Sequence, residues 1–576
     1  MQVIRRGLTY LQPHKWFALG AFLSMLLVTA ANLYSPLLIE QLIDQGIRAN
    51  SWDGILAATI GLLVIALLRG LFSFTNAYWS ENASQGVAYD LRNEIFTKLQ
   101  KLSFSFHDSH QTGQLMTRAT SDVEAVRSFF AQGIFQLISA IITFIGSITI
   151  LLITNAQLAL AVMVTIPLIV LLFVWLFGRM GPIFALVQQS LGQLNNILQE
   201  NIIGIRVVKA FTAEKYEFDR YQNENELLYG HNLATFRLFA VGFPTVFFIA
   251  NIGTLIVIWF GGNLVISEQL GLGQLIAFNS YLSYLLMPIF QLGGLSQQLA
   301  TTTASGNRIF EILDTENEVA SPANPTTLSA DIPGHITFEN VSFGYGSDTI
   351  VLQDISFEAL PGQTVALLGG TGSGKSTILS LIPRFYDVTA GRVLIDGINV
   401  RDVGVEQLRQ RVGIVLQSVN LVGGTIRENI AYGRRDATER EIKMAATAAQ
   451  AHDFIMEQTD GYETVLGERG SGLSGGQRQR IAIARVLLEH PRIMLFDDSL
   501  SAIDAETESK IRKIIAPHLK HHTTIVIAQR VSTVRGADLI LVLDKGRIVA
   551  RGTHKELLES SPLYVEIVNS QLDKSA

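Results

Sequence analysis

Six apolar stretches, each long enough to cross a lipid bilayer as a helix, crowd into the first 300 residues of this 576-residue chain. They are Trp16 to Ile39, Ile55 to Trp79, Phe129 to Ile153, Leu158 to Phe177, Phe239 to Gly262 and Leu275 to Leu295. A hydrocarbon core about 30 Å thick takes roughly 20 helical residues, and it offers no water to unpaired backbone groups. Buried core helices of a large soluble enzyme are the alternative reading, and six of this length in one half of a chain speak against it. The composition, 48% hydrophobic and 16% charged, fits a chain that is partly lipid-embedded.

Charge gives the spans a direction. Lysine and arginine are retained on the cytoplasmic side. The connection between spans two and three carries Arg92, Lys98, Lys101, Arg118 and Arg127, and that between spans four and five carries Arg179, Arg206, Lys209, Lys215 and Arg220. Thr154 to Gln157 and Asn263 to Gly273 carry none, whereas the N-terminal segment holds Arg5, Arg6 and Lys15. Both termini are therefore expected in the cytoplasm. The first apolar stretch is too long for a signal-peptide core and reads as a first span. The two cytoplasmic connections keep helical periodicity and are expected to extend the spans below the membrane, with turns near Phe106 to Gly113 and Ala213 to Asp219; solvated loops are the alternative. A net charge of -6 without a basic cluster gives no reason to expect nucleic acid as a partner, and the absence of cysteine excludes disulfides and thiolate metal sites.

After a linker with Pro322, Pro325 and Pro333, strand and helix patterns alternate to near the C-terminus. The expected boundaries are 1–310 for the six-helix transmembrane domain, 311–335 for the linker, 336–570 for an α/β nucleotide-binding domain and 571–576 for a tail. Within the third, strand-like TVALLG runs into Gly369, Gly370, Thr371, Gly372, Ser373, Gly374, Lys375, Ser376 and Thr377, then into helical ILSLIPRF. Glycines let backbone N–H groups converge on phosphate oxygens, and the following helix adds its positive end. Lys375 is expected to reach the β- and γ-phosphates of ATP and Ser376 to coordinate Mg²⁺. Downstream, the apolar run Ile493 to Phe496 ends in Asp497, the expected carboxylate partner of Mg²⁺, and Asp498 is the candidate base for the attacking water.

Leu473, Ser474, Gly475, Gly476 and Gln477 spell the signature of ABC ATPases, placed shortly before the Asp497 strand. With it the chain resembles the ABC exporter family over nearly its whole length, which implies a six-span transmembrane domain fused to a P-loop ATPase domain. The resemblance implies that Tyr345 stacks on adenine, that Gln417 senses Mg²⁺ and the γ-phosphate, and that Ser501 and Asp504 cross a dimer interface. Gly467 to Gly470 resembles the contact with the transmembrane turns. In this family two ATPase domains close head to tail, so that each ATP lies between one phosphate loop and the other chain's signature.

Two positions depart from the family pattern. Asp498 stands where most members have glutamate, withdrawing the carboxylate by roughly 1 Å from the water it must hold. Gln529 stands where most have histidine; it can bond a phosphate but cannot carry positive charge. The chain is thus most similar to the degenerate-site subunit of heterodimeric bacterial multidrug exporters of the B type, with an intact signature for a partner half-transporter that supplies glutamate and histidine. The resemblance implies a multi-pass protein of the inner (cytoplasmic) membrane that exports amphipathic drugs or lipids, with Phe243, Phe247, Phe248, Phe278, Tyr281 and Tyr284 on spans five and six as candidate cavity residues. A homodimeric slow lipid or peptide exporter, and an ATP-gated channel or regulatory subunit, remain the alternatives.

Overall fold

The computed structural model describes residues 2–329, 332–346, 349–467, 470–497, 522–527 and 534–572. The chain divides into two compact units. One comprises Met1–Leu99 and Gly113–Asp314; the other comprises Gln100–Thr112 and Thr315–Ala576.

The first unit is helical. A short helix, Gln2–Thr9, precedes six long ones: Lys15–Ile47, Trp52–Lys101, Thr112–Thr154, Ala156–Ile203, Glu214–Ile266 and Leu272–Asp314. Each contains one of the apolar stretches and is long and apolar enough to cross a membrane. Trp52–Lys101, at 50 residues, extends about 75 Å at 1.5 Å per residue, more than twice the hydrocarbon thickness. The extra length falls in the basic connections, as the periodicity predicts. In the most apolar window of this helix only 6% is buried, so its leucines and phenylalanines must meet lipid or another chain.

Two clusters hold the bundle together. Leu151, Leu158, Val162, Phe278, Tyr281 and Leu285 form one, and Val87, Leu91, Ile95, Val126, Phe130 and Ile309 the other. Beside the second, the buried Asp122 accepts hydrogen bonds from Ser305 Oγ and Arg308 Nε, both at 2.8 Å, fastening the third long helix to the sixth.

The second basic connection turns earlier than expected. The fourth long helix stops at Ile203, the short helix Ile205–Ala210 follows, and the fifth begins at Glu214. Thr212 takes a left-handed φ of 52°, and Glu214 and Glu217 sit in the first turn of the next helix, where negative charge suits the dipole. Ala213 to Asp219 is thus a helix start and the turn lies at 204–213.

The second unit carries twelve strands among the described residues: β1 (Ile336–Tyr345), β2 (Thr349–Ala359), β3 (Thr364–Gly369), β4 (Ala390–Ile395), β5 (Ile398–Asn399), β6 (Val412–Val415), β7 (Gly424–Thr425), β8 (Val465–Leu466), β9 (Ile493–Asp497), β10 (Thr523–Ile527), β11 (Leu539–Asp544) and β12 (Arg547–Gly552). A four-stranded antiparallel sheet has the order β2-β1-β4-β5, a six-stranded sheet the order β12-β11-β3-β10-β9-β6, and β7 pairs with β8. In the six-stranded sheet all neighbours are parallel except β11 and β12. The central strands are buried on both faces, which is why IMLFD reads as a continuous apolar run. Ile493 and Leu495 join the core shared with the antiparallel sheet, while Met494 and Phe496 face a helical core. Asp497, two residues after Leu495, inherits the first face.

Gln100–Thr112 belongs to this unit although its neighbours in sequence are long helices of the other. Its short helix, Phe104–Ser109, sets Phe104 against Phe385 with ring centroids 4.4 Å apart, and the Tyr386 hydroxyl donates to Asp108.

Candidate functional site

Parallel strands collect their C-terminal ends at one edge of a sheet, and ligands of such sheets bind outside that edge. The loop Gly369 to Gly374 follows β3, Asp497 closes β9, and Gln417 lies two residues past β6. Because Val415 pairs with Phe496, Gln417 emerges one step beyond the level of Asp497. It is exposed there.

The loop's conformation selects its residues. Gly372 and Gly374 have φ of 79° and 97°, and a Cβ on Gly374 would come within 2.5 Å of Leu352 Cδ2. The helix Lys375–Leu381 begins directly after this turn. Lys375 Nζ donates to the carbonyls of Gly369 at 2.9 Å and Gly370 at 2.7 Å, which holds the ammonium over the loop. Ser376 Oγ donates to Asp497 Oδ1 at 3.0 Å, bringing together two residues 121 apart in sequence. Burial pushes the Asp497 carboxyl above its ordinary value, opposed by the Ser376 bond and the nearby Lys375 charge. A hydroxyl and a carboxylate are oxygen donors of the kind that hard divalent cations take.

Tyr345, at the end of β1, joins the same region: its hydroxyl lies 3.2 Å from Thr377 Oγ1 and its ring remains 45% exposed. Tyr386 meets it edge-on with centroids 5.2 Å apart, a neighbour the sequence reading missed. The only sequence hint was an aromatic pair, Phe385 and Tyr386, just past the helix that follows the loop.

The signature occupies a helix start. Ser474 caps the helix Gly475–Glu489: its Oγ accepts from Gln477 N at 3.2 Å, and Gln477 Oε1 accepts from Ser474 N at 2.8 Å. Leu473 is buried, and Ser474 and Gly475 are exposed. The cap uses the serine oxygen as acceptor, so its O–H proton stays available to donate outward. Glu468, Arg469, Asp498, Ser501, Asp504 and Gln529 lie outside the described residues.

In the helical unit a cavity of about 1060 Å³ opens among spans three, four and six. Phe144, Phe173, Phe177 and Phe184 line it. None of the six aromatics expected from spans five and six is among the described lining residues. Phe278 and Tyr281 are instead buried in the bundle, where Tyr281 OH donates to the Leu33 carbonyl at 2.5 Å, and Phe247 and Phe248 are exposed. A span that is apolar all round carries no periodic sign of which face meets the cavity.

A family model of the ABC transporter transmembrane region matches residues 18–289, and a second one, described as ABC transporter, matches residues 352–501. The ABC transporter ATP-binding protein YknU of Bacillus subtilis is 37% identical over 573 residues, 99% of this chain and 98% of the relative. The chain belongs to the ABC transporter family. An ATP-dependent lipid A-core flippase of Syntrophus aciditrophicus is 36% identical over 98% of this chain and 94% of its own length. The structure of a bacterial Atm1-family ABC exporter with ATP bound superposes with a TM-score of 0.82 at 30% identity, covering 97% of this chain and 98% of that one. This ABC transporter is accordingly a multi-pass membrane protein of exporter architecture that binds ATP and couples its hydrolysis to transport. With one ATPase unit per chain it is a half-transporter and works as a dimer.

Proposed function

We propose that the chain exports amphipathic small molecules, drugs or lipids, across the cytoplasmic membrane as one half of a heterodimer, and that its own ATP site is the weaker of the pair. The basic residues of the two long connections support placing the ATPase unit and both termini in the cytoplasm. The phenylalanine-lined cavity supports an amphipathic cargo, as does the similarity to a lipid A-core flippase.

At the nucleotide site the position of each described residue supports the role proposed for it, while the roles of Ser501 and Asp504 rest on the family resemblance alone. Tyr345 offers an exposed ring to adenine, the loop from Gly369 to Gly374 presents backbone N–H groups to phosphate, and Lys375 swings from its carbonyl partners to the β- and γ-phosphates. Ser376, Asp497 and Gln417 would hold Mg²⁺, which would supply polarisation of the phosphoryl oxygens. Ser474 donates its hydroxyl proton to the γ-phosphate of the partner's ATP, and Ser501 and Asp504 meet the partner's loop.

One observation carries the division of labour: this chain combines an intact phosphate loop and signature with Asp498 and Gln529 at the two positions that position and polarise the attacking water. Identical chains would impair both composite sites, whereas a partner with glutamate and histidine keeps one competent. The test is ATPase turnover of the purified chain alone and of the chain co-expressed with a homologous half-transporter carrying those two residues. The pair is expected to hydrolyse ATP at several per second, the order common to enzymes, and the single chain far below it. Equal rates from both preparations would establish the homodimer.

A further inference from the structure

We propose that the cavity among spans three, four and six takes a molecule with an uncharged hydrogen-bonding head and an apolar chain as long as one bilayer leaflet, the head lying at the lysine- and arginine-rich end of the spans. The inference rests on the export reading above and names the class of cargo. It starts from a polarity gradient. Along span four the lining runs from Val170 to Phe184 without a hydrogen-bonding side chain, a length of about 21 Å at 1.5 Å per residue. The hydrogen-bonding side chains among the described lining residues, Gln188, Ser296, Gln297 and Thr301, all lie beyond that stretch, toward the basic end. Span three runs the other way and sets Phe144 and Ile145 at the apolar end.

Half of a roughly 30 Å hydrocarbon core is the depth one leaflet's chains reach, so the apolar part accommodates a leaflet-length chain. The volume, about 1060 Å³, is at the upper end for a drug-sized ligand. The head's chemistry follows from the other end. Thr301 Oγ1 donates to the Gln297 backbone carbonyl at 3.0 Å, which leaves the Ser296 hydroxyl and the Gln188 and Gln297 amides, each both donor and acceptor, to meet the ligand. No acidic or basic side chain is among the described lining residues; Arg179, on span four between the lining residues Phe177 and Met180, falls on the helix face turned away from the one that Val170, Val174, Phe177, Gly181 and Gln188 share. A charged head drawn into such a site would lose its hydration without gaining a counter-charge, whereas hydroxyl, ester or amide heads exchange water for the two amides at little loss.

The experiment uses the assembled transporter in lipid nanodiscs with three probes that share a sixteen-carbon chain and a photoreactive diazirine at its end. The probes differ in head: a glycerol ester, a phosphate monoester and a trimethylammonium. The glycerol probe is expected to stimulate ATPase at a concentration at least about tenfold below the other two, and its chain end to label Phe144, Ile145 or Val170. Replacing both amides, Gln188→Leu with Gln297→Leu, is expected to raise the glycerol probe's half-saturating concentration about tenfold, the equivalent of two modest hydrogen bonds, and to leave the trimethylammonium probe's nearly in place. The labelling map is made on the parent protein, so it stands even if the double variant misfolds. Strongest stimulation by the phosphate or ammonium probe, or labelling confined to other spans, overturns the inference while leaving amphipathic export intact. No stimulation and no transport of any probe, with ATP hydrolysis running, overturns the export reading as well.

Discussion

The nucleotide edge of the ATPase sheet and the cavity among the spans are built on opposite principles. At the edge the backbone and side chains are set by close contacts: Ser376 lies 3.0 Å from Asp497, and Gly374 turns where a Cβ would strike Leu352. In the cavity four phenylalanines and two amides share the wall, and no acidic or basic side chain is among the described lining residues. The contrast teaches that sequence constrains chemistry tightly where backbone geometry and charge must meet a phosphate, and loosely where surface is simply withdrawn from water. It can be broken by experiment, because substitutions at the edge should cost orders of magnitude and those in the cavity only small factors.

The largest effect is expected from Lys375→Ala, which removes the one ammonium held over the loop. ATP photolabelling at this chain's site should require about 10²-fold more nucleotide, in line with the loss of a charge-assisted contact to phosphate. Labelling at the parent concentration would remove Lys375 from the site. Next comes Ser474→Ala in the two-subunit complex. Turnover at saturating Mg-ATP should fall by about 10², the loss typical of one preorganised donor to a developing charge. Since the hydroxyl also caps a helix, circular dichroism and dimerisation are measured alongside; a drop in turnover that only tracks lost helix would assign the serine a purely structural role.

A smaller effect concerns pH. Burial raises the Asp497 carboxyl, so the folded protein holds that proton more tightly than an exposed carboxylate does. Without nucleotide, stability contributed by this group therefore rises as pH falls through the raised value, while cation binding needs the carboxylate and weakens over the same range. ATP affinity with Mg²⁺ should decline by up to about tenfold per pH unit on acidification, beginning above the ordinary carboxylate range. Affinity measured in EDTA should decline less, and Asp497→Asn should abolish the difference. Parallel curves would separate Asp497 from the cation. The smallest effect is expected in the cavity, where Phe177→Ala should raise a substrate's half-saturating concentration about threefold, since much of that ring's area is replaced by neighbouring apolar surface. A loss as large as that of Lys375→Ala would erase the contrast between the two regions.

The same contrast decides what could be read from the chain. Gly372 and Gly374 announce themselves because left-handed φ favours glycine, and the parity of Ile493, Leu495 and Asp497 carries the carboxylate to the loop's side of the sheet. The spans were legible as spans because solvation in hydrocarbon leaves the chain no alternative to a helix. Their facing was not, since Phe278 and Phe144 sit in equally apolar surroundings in the sequence and only packing separates the buried ring from the cavity wall. The turn at 204–213 was misplaced because Glu214 and Glu217 mark a helix start as readily as a surface loop. Tyr386 escaped notice because its importance comes from Tyr345 and Asp108, residues 41 and 278 positions away.

The short helix Phe104–Ser109 has a consequence in time. It folds with the ATPase unit, against Phe385 and Tyr386, yet it leaves the ribosome roughly 280 residues ahead of them. At about 5–20 residues per second, Phe104 waits on the order of 15–55 s for the Phe385 and Tyr386 rings it packs against. During that interval the short helix hangs between the second and third long helices, its Phe104 ring without the aromatic partners it has in the folded unit. A nascent chain of this transporter therefore passes through a stage in which a chaperone, or the membrane surface itself, is the natural custodian of that ring, and slowing synthesis between the third span and Phe385 prolongs it.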